Sequence, residues 1–239
     1  MADSRYFYLS EDNSDRKDVY LSESESHHLS VVNRIKKGER VKLLDGRGGI
    51  YQAKVKQSDA RKTLVEITGK KRSSALFRPD IAIPLLRANR MDIAVEKSAE
   101  LGTRRIIPYL SERTIWRGKK KEAEKKKERL NRKVIAACKQ SGQAYFPEVE
   151  SIFCFNDLLN ITDDYERVYL ARRGTSRKAE NRVTTGRVLG VIGPEGGLTE
   201  NEEDMLQEKG AIPVSLGNSR LRSETAAICL VFYMRSIFE

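Results

Sequence analysis

The stretch VIGPEGGLTENEE, residues 191–203, decides the fold. The apolar run over residues 189–193 reads as a strand buried on both faces, and Pro194 cannot continue it as a central ladder residue. Gly196 and Gly197 carry no Cβ, so the backbone there can take positive φ and come close to a ligand. Thr199 followed three residues later by Glu202 is a capping box and predicts a helix over 199–208. Strand, glycine turn and helix in that order place the loop at the carboxyl end of a strand, where α/β sheets bind ligands. The spacing is neither the G-x-G-x-x-G of a dinucleotide fold nor a P-loop, which needs Lys and Ser/Thr. Glu195 would repel a phosphate, so a ligand without phosphates, such as a cationic sulfonium, suits the turn better. Read alone, the stretch is equally a plain glycine turn with a surface glutamate.

A second segment, PVSLGNSRLRSETAAI over residues 213–228, repeats the arrangement. A strand ends at Leu216-Gly217. The loop then gathers Asn218, Arg220, Arg222 and Glu224 around one apolar residue, Leu221. The helix that follows, to about residue 238, is apolar on nearly every side, as expected for a core or a subunit interface. Arginines beside such a surface must be paired or meet a ligand. Arg222 with Glu224 and Arg220 with Glu195 are candidate ion pairs, and catalysis is the competing reading for each residue.

Working outward, residues 73–239 alternate short apolar runs (DIAIPLL, RRIIPYL, ERVYLAR, RVLGVIG, AIPVSLG) with helical stretches. This is the α/β pattern of a mostly parallel sheet. One helix ends at Gly102 and a long lysine-rich one near Gly142, both suited to a C′ glycine. Glu122–Lys126 and Glu128–Arg132 are i,i+4 pairs on that second helix, which reads mainly as a solvated face. RNA contact by Arg117, Lys119 or Lys120 is the alternative. Residues 1–72 instead read as short strands around one short helix capped by Ser24 or Ser26. With the hairpin signal of ERVKLLDGRGGIYQAKVKQ, they predict a small β-barrel. Residues 70–80 form the linker.

The 239 residues carry a net charge of +11 and a pI near 9.5. The excess favours a polyanionic partner through counterion release, with solubility as the plain alternative. No basic amphipathic helix with a bulky aromatic face argues for a membrane surface. No apolar run approaches the roughly 20 residues that span a bilayer. The segment MADSRYFYLSEDN lacks the apolar core of a signal peptide. Three scattered cysteines, Cys138, Cys154 and Cys229, form no zinc pattern and fit a reducing cytoplasm, with Cys229 expected as a buried small hydrophobe. No metal is expected.

Together, IGPEGGLTENE and SLGNSRLRSETAA resemble the paired C-terminal signature of the RsmE family, in the SPOUT class of RNA methyltransferases. HHLSVVNRIKKGERVKLLDGRGGIYQAKV is similar to that family's PUA-like barrel, and VEKSAELGTRRIIPYLSERT to its first SPOUT segment. In KQSGQAYFPEV, Gln143 stands where the family commonly has arginine. The resemblance spans nearly the whole chain.

It implies a PUA-like RNA-binding barrel over 1–72 and a SPOUT domain with a deep trefoil knot over 73–239. It implies S-adenosylmethionine as cofactor and methylation of N3 of a uridine in 16S rRNA of the small ribosomal subunit, by a cytoplasmic homodimer. The implied cofactor lining is Leu170, Gly193, Glu195, Gly196, Gly197, Leu216, Gly217, Asn218, Leu221 and Arg222. Arg5, His28, Arg34 and Lys119 are the RNA-contact candidates; a metal role for the His27–His28 pair is disfavoured. Uracil N3 is a protonated imide, and a glutamate titrating near about 4 is a weak base for it unless burial raises that value. Arg222 is therefore the preferred electrostatic stabiliser, with water taking the proton, and Glu195 is the base or orienter. Two rival readings stay open: a SPOUT enzyme acting on another RNA position, and a non-catalytic RNA-binding ribosome-assembly factor.

Overall fold

The computed structural model describes residues 6–10, 16–74, 77–114, 116, 120–175 and 186–237. Arg5, Arg117, Lys119 and Phe238 lie outside them. The chain forms two compact units: Met1–Leu76 with Ile135–Phe146, and Phe77–Val134 with Pro147–Glu239.

The first unit is a five-stranded sheet in the order β1 (Tyr6–Tyr8), β3 (Arg40–Leu44), β4 (Gly49–Gln57), β5 (Leu64–Arg72), β2 (Asp18–Tyr20). Only β1–β3 is parallel; the other pairs are antiparallel. Alternation along β3 and β4 turns Val41, Leu43, Tyr51, Ala53 and Val55 into one buried cluster with Phe7, Leu29 and Val65. The expected barrel is thus a sheet whose edges, β1 and β2, form no ladder with each other among the described residues. Register shifts in β4 at Gln52/Ala53 and Val55/Gln57 bend it.

Helix α1 (Glu23–His27) runs on into a π-helical turn, His28–Val32. Its cap is Ser22, not Ser24 or Ser26: the Ser22 hydroxyl accepts from Glu25 N at 3.3 Å. Ser26 is buried, and its Oγ accepts from Thr63 N and donates to Leu21 O. Within this unit the glycines of the β3–β4 turn are set by packing. A Cβ on Gly48 would lie 2.3 Å from Tyr145 Cζ, and one on Gly46 2.9 Å from Phe146 Cδ2.

The second unit is a six-stranded sheet in the order β11 (Ile212–Val214), β9 (Arg167–Ala171), β10 (Val188–Val191), β6 (Asp80–Pro84), β7 (Arg105–Tyr109), β8 (Glu148–Val149). Every pair of these strands is parallel. Helices α2 (Ala88–Glu100), α3 (Lys120–Ser141), α4 (Phe155–Thr162), α5 (Glu200–Glu208) and α6 (Ser223–Ser236) connect or follow the strands. The chain steps outward from β6 through β7 to β8, then returns to the other side of β6 for β9, β10 and β11. That reversal makes a crevice at the carboxyl ends of β10, β9 and β11.

Ile81, Ala82, Ile106, Ile107, Leu189 and Val191 are fully buried, as their apolar runs require. Gly190 lies under α6: a Cβ there would stand 2.8 Å from Leu230 Cδ2 and from Met234 Cε. Gly102 and Gly142 close α2 and α3 with φ of 76° and 73°. Helix α6 is not buried all round. Leu230, Val231 and Met234 pack inward, while Phe232 is 63% exposed and Cys229 partly exposed, so Cys229 is not the fully buried hydrophobe expected.

Candidate functional site

The loop after β10 is held by its neighbours at nearly every residue. Tyr109, at the end of β7 and fully buried, donates its hydroxyl to Ile192 O at 2.6 Å. Burial, with Glu202 nearby, pushes that phenol well above its ordinary range, so it stays a donor. The Gly193 carbonyl accepts from Ser223 Oγ at 2.9 Å. Gly197 N donates to Pro194 O at 2.8 Å, closing a four-residue turn with Gly197 at φ 74°. Arg113 Nη1 donates to Gly196 O at 2.9 Å and Leu198 O at 3.1 Å. The capping box is present as expected: Thr199 Oγ1 accepts from Glu202 N, and Glu202 Oε2 accepts from Thr199 N at 3.0 Å. Glu202 Oε1 also accepts from Glu112 N at 2.8 Å, which explains its burial.

The loop after β11 is looser. Gly217 has φ 135°, and a Cβ there would meet nothing within 4 Å. Arg220 Nη2 donates to the backbone carbonyl of Glu195 at 3.1 Å, joining the two loops. Arg222 takes the N-cap position of α6 with extended backbone, φ −72° and ψ 154°, and its side chain does no capping. That side chain is exposed and makes no hydrogen bond or ion pair with another described residue.

The two loops share one cleft of about 690 Å³. Of the residues read from sequence, Gly193, Glu195, Gly196, Gly197, Leu216, Gly217, Leu221 and Arg222 line it. Asn218 is exposed and Leu170 is buried, and neither lines it. Strand alternation turns Leu170 into the core beside Leu189 and Val191, so the β9 wall is made by Ala171, Arg172 and Arg173. Of the two glycines expected to free the turn's backbone, only Gly197 has positive φ. Gly196 needs neither positive φ nor the absent side chain, since a Cβ there meets only Arg113, at 3.5 Å. Gly217 is required by its φ of 135°, whereas at Gly196 neither backbone nor packing asks for glycine, and the open space there fits a bound small molecule.

Neither candidate ion pair forms as drawn from the sequence. The Glu195 carboxylate accepts from Arg90 Nη1 at 3.2 Å, and Arg90 Nε lies 3.8 Å from Glu224 Oε1. Arg90 and Arg113 were missed. Both follow the carboxyl ends of strands, β6 and β7, which is the signal that could have found them. The cleft carries six arginines (Arg90, Arg113, Arg172, Arg173, Arg220, Arg222) against three glutamates (Glu195, Glu200, Glu203), a balance suited to a polyanion. No cluster of three His, Cys, Asp or Glu able to hold a metal occurs among the described residues.

In the first unit, His28 is half-buried, its ring edge-on to Phe7 at 5.7 Å. Burial, then Lys139, holds its pKa below the ordinary value, which favours the neutral ring. Arg34 is exposed, is the one described non-glycine residue with positive φ (53°), and lines a recess with Lys36, Lys37 and Lys56.

Comparison with known proteins decides the family. The RNA methyltransferase domain family matches residues 73–235, and the RNA methyltransferase PUA domain family matches residues 21–68. Ribosomal RNA small subunit methyltransferase E of Aquifex aeolicus is 32% identical over 217 residues, covering 89% of this chain and 92% of that protein. This chain belongs to the RsmE family of RNA methyltransferases. The RsmE protein of Bacillus subtilis is 28% identical over 222 residues, covering 87% and 86% of the two chains. The crystal structure of RsmE from Neisseria gonorrhoeae bound to S-adenosylmethionine superposes with a TM-score of 0.88 at 30% identity, covering 98% of each chain. A methyltransferase from Legionella pneumophila, in complex with the same cofactor, gives 0.89 at 25%, covering 98% of this chain and 97% of that one.

Proposed function

We propose that this RsmE-family chain methylates N3 of a uridine in 16S rRNA of the small ribosomal subunit, using S-adenosylmethionine. The observation that carries the reading is the convergence of the β10 and β11 loops on one cleft, with Arg222 at its wall and its side chain without a partner among the described residues. The cofactor-bound neighbours support the ligand, and the open space at Gly196 and Gly217 fits it.

When bound, S-adenosylmethionine supplies an activated methyl group on a cationic sulfonium. The chain's own task is alignment, which by itself can lower a barrier by several kcal/mol, roughly 7–11 in favourable cases. Gly193, Glu195, Gly196 and Gly197 from one loop, with Leu216, Gly217 and Leu221 from the other, hold the cofactor. Arg222 donates to a uracil carbonyl oxygen and stabilises the negative charge that develops as N3 loses its proton. That proton passes to water or to Glu195. Because Glu195 sits at the turn's tip with Arg90 on its carboxylate, orienting the cofactor is its better-supported role. The target base is unpaired or flipped, since pairing hides N3.

Residues 1–72 act as the RNA-gripping module and 73–239 as the methyltransferase module. His28, half-buried and favouring the neutral ring, contributes by packing or as a neutral donor; Arg34 contacts phosphate. The second module carries the SPOUT trefoil knot, a reading supported by the family and compatible with β10 lying between β9 and β6 and β11 beyond β9. Phe232 on α6 and Ile93 on α2, 63% and 45% exposed, are the apolar surface through which two copies pair. The protein works in the cytoplasm.

Two measurements test the reading together. Calorimetry should show S-adenosylmethionine binding to the purified chain. Nucleoside mass spectrometry of 16S rRNA from a deletion strain should show 3-methyluridine lost and restored by the gene. Binding without that loss moves the target to another RNA position; absence of binding favours an assembly factor.

A further inference from the structure

Two carboxylates, one lining the cleft and one buried at the start of α6, share one guanidinium. Arg90, in α2, places Nη1 3.2 Å from Glu195 and Nε 3.8 Å from Glu224. Glu195 is on the tip of the first loop. Glu224 is in the first turn of α6, two residues beyond Arg222. Arg90 belongs to neither element and reaches both the first loop and the start of α6.

The two carboxylates are unequal. The Glu195 side chain is 37% exposed and that of Glu224 only 9%. Glu224 Oε2 is buried without a hydrogen bond, and Arg90 is the one cation within ion-pair distance of this carboxylate among the described residues. Unpaired charge is far more costly buried than exposed, so Glu224 depends on Arg90 more than Glu195 does. A guanidinium offers five donors in a fixed fork and can serve two carboxylates at once; an ammonium on a flexible stem does so poorly. The support behind Arg90 is rigid. Met91, Ala94 and Val95 beside it on α2 are fully buried, and Arg235 of α6 donates to Leu101 O at the end of α2 at 2.6 Å.

We propose that Arg90 is a positioning residue for methyl transfer. Through Glu224 it fixes the first turn of α6, and with it Arg222; through Glu195 it fixes the tip of the first loop. The inference rests on the reading of this cleft as the methyl-transfer site, but its structural half does not need the cofactor. Without Arg90, Glu224 is left as a buried carboxylate with no counter-ion, and the start of α6 loosens toward water. Arg222 then loses its aim, and the tip of the first loop loosens with it.

The test uses the full chain. In Arg90→Ala without cofactor, amide hydrogen exchange should quicken about tenfold in residues 194–198 and 223–227 and stay unchanged in β6 and β7. In methyl transfer to small ribosomal subunits, kcat should fall by roughly 10–100-fold, the range expected of a misplacement near 1 Å, with S-adenosylmethionine affinity falling by a smaller factor. Adding Glu224→Gln, which removes the stranded charge, should restore slow exchange and part of kcat, so the two changes are not additive. Arg90→Lys should lie between, and carries the same readouts if Arg90→Ala does not fold. Unchanged exchange in both segments, additive losses, or an effect confined to cofactor affinity would each overturn the proposal. A wild-type chain that binds no S-adenosylmethionine, with the exchange pattern as expected, would instead remove the methyl-transfer reading and leave the Arg90 strut standing as a structural element.

Discussion

The two ends of the parallel sheet handle charge in opposite ways. At the amino ends of the strands, Asp80 is buried and saturated. Arg104 reaches it with Nε at 2.9 Å and Nη2 at 2.5 Å, Arg105 Nε at 3.0 Å, and the Tyr165 hydroxyl at 2.6 Å. Arg105 spends its remaining donors on Glu150 and Tyr165. At the carboxyl ends, the Arg222 side chain has no partner among the described residues, and Glu224 keeps a buried oxygen without a hydrogen bond among them. A network closed on itself holds strands in register. One left open has capacity for a ligand, and at this end the exposed Arg222 guanidinium lines the cleft where such a ligand would sit.

The largest expected effect is at the closed end. Asp80→Ala takes the shared carboxylate from Arg104, Arg105, Arg187 and the Tyr165 hydroxyl and should cost about 2–3 kcal/mol, seen as a lowered urea midpoint, with activity per folded molecule kept. Arg222→Ala should do the reverse, lowering methyl transfer about 10²–10³-fold with the urea midpoint unmoved. Equal stability losses for the two would erase the contrast.

Two glycines sharpen it further. Gly190→Ala forces a methyl against Leu230 and Met234 and should cost roughly 1–3 kcal/mol without changing cofactor affinity. Gly196→Ala should leave stability within about 0.5 kcal/mol yet weaken S-adenosylmethionine binding, measured by calorimetry. Unaltered binding would mean that nothing occupies the space beside Gly196.

The smallest effect concerns pH. Burial, then the hydrogen bond to Asp80, raises the Tyr165 pKa to about 12. The folded state thus holds this proton more tightly than the unfolded chain, where tyrosine titrates near about 10. Its contribution is full below about pH 10 and lost as pH rises toward about 12. Tyr165→Phe should flatten that slope in denaturation curves across the window.

Five of the six parallel strands were legible because each is a short apolar run bounded by polar residues. Strand β8 was not, since two residues, Glu148 and Val149, carry no period. Helix α4 was also missed; its cap is the thiol of Cys154, which accepts from Asp157 N at 3.4 Å, an unusual cap to read from sequence. The cap of α1 was misplaced because several serines near its start offer the same hydroxyl, and only burial separates Ser26 from Ser22. At the site, the glycine and arginine loops stood out by composition. Arg90 and Arg113 did not, because arginine on a helix or after a strand reads as ordinary surface charge.

By itself the sequence determined the alternation of strand and helix, the two glycine-bearing turns and the residue types in them, since these follow from local hydrophobic period and turn chemistry. The tertiary structure alone decided which charges meet: Glu195 and Glu224 both turn to Arg90, more than 100 residues earlier in the chain, and Arg222 is left over. Pairing across that distance depends on how parallel strands are ordered in the sheet, and no local pattern encodes that order.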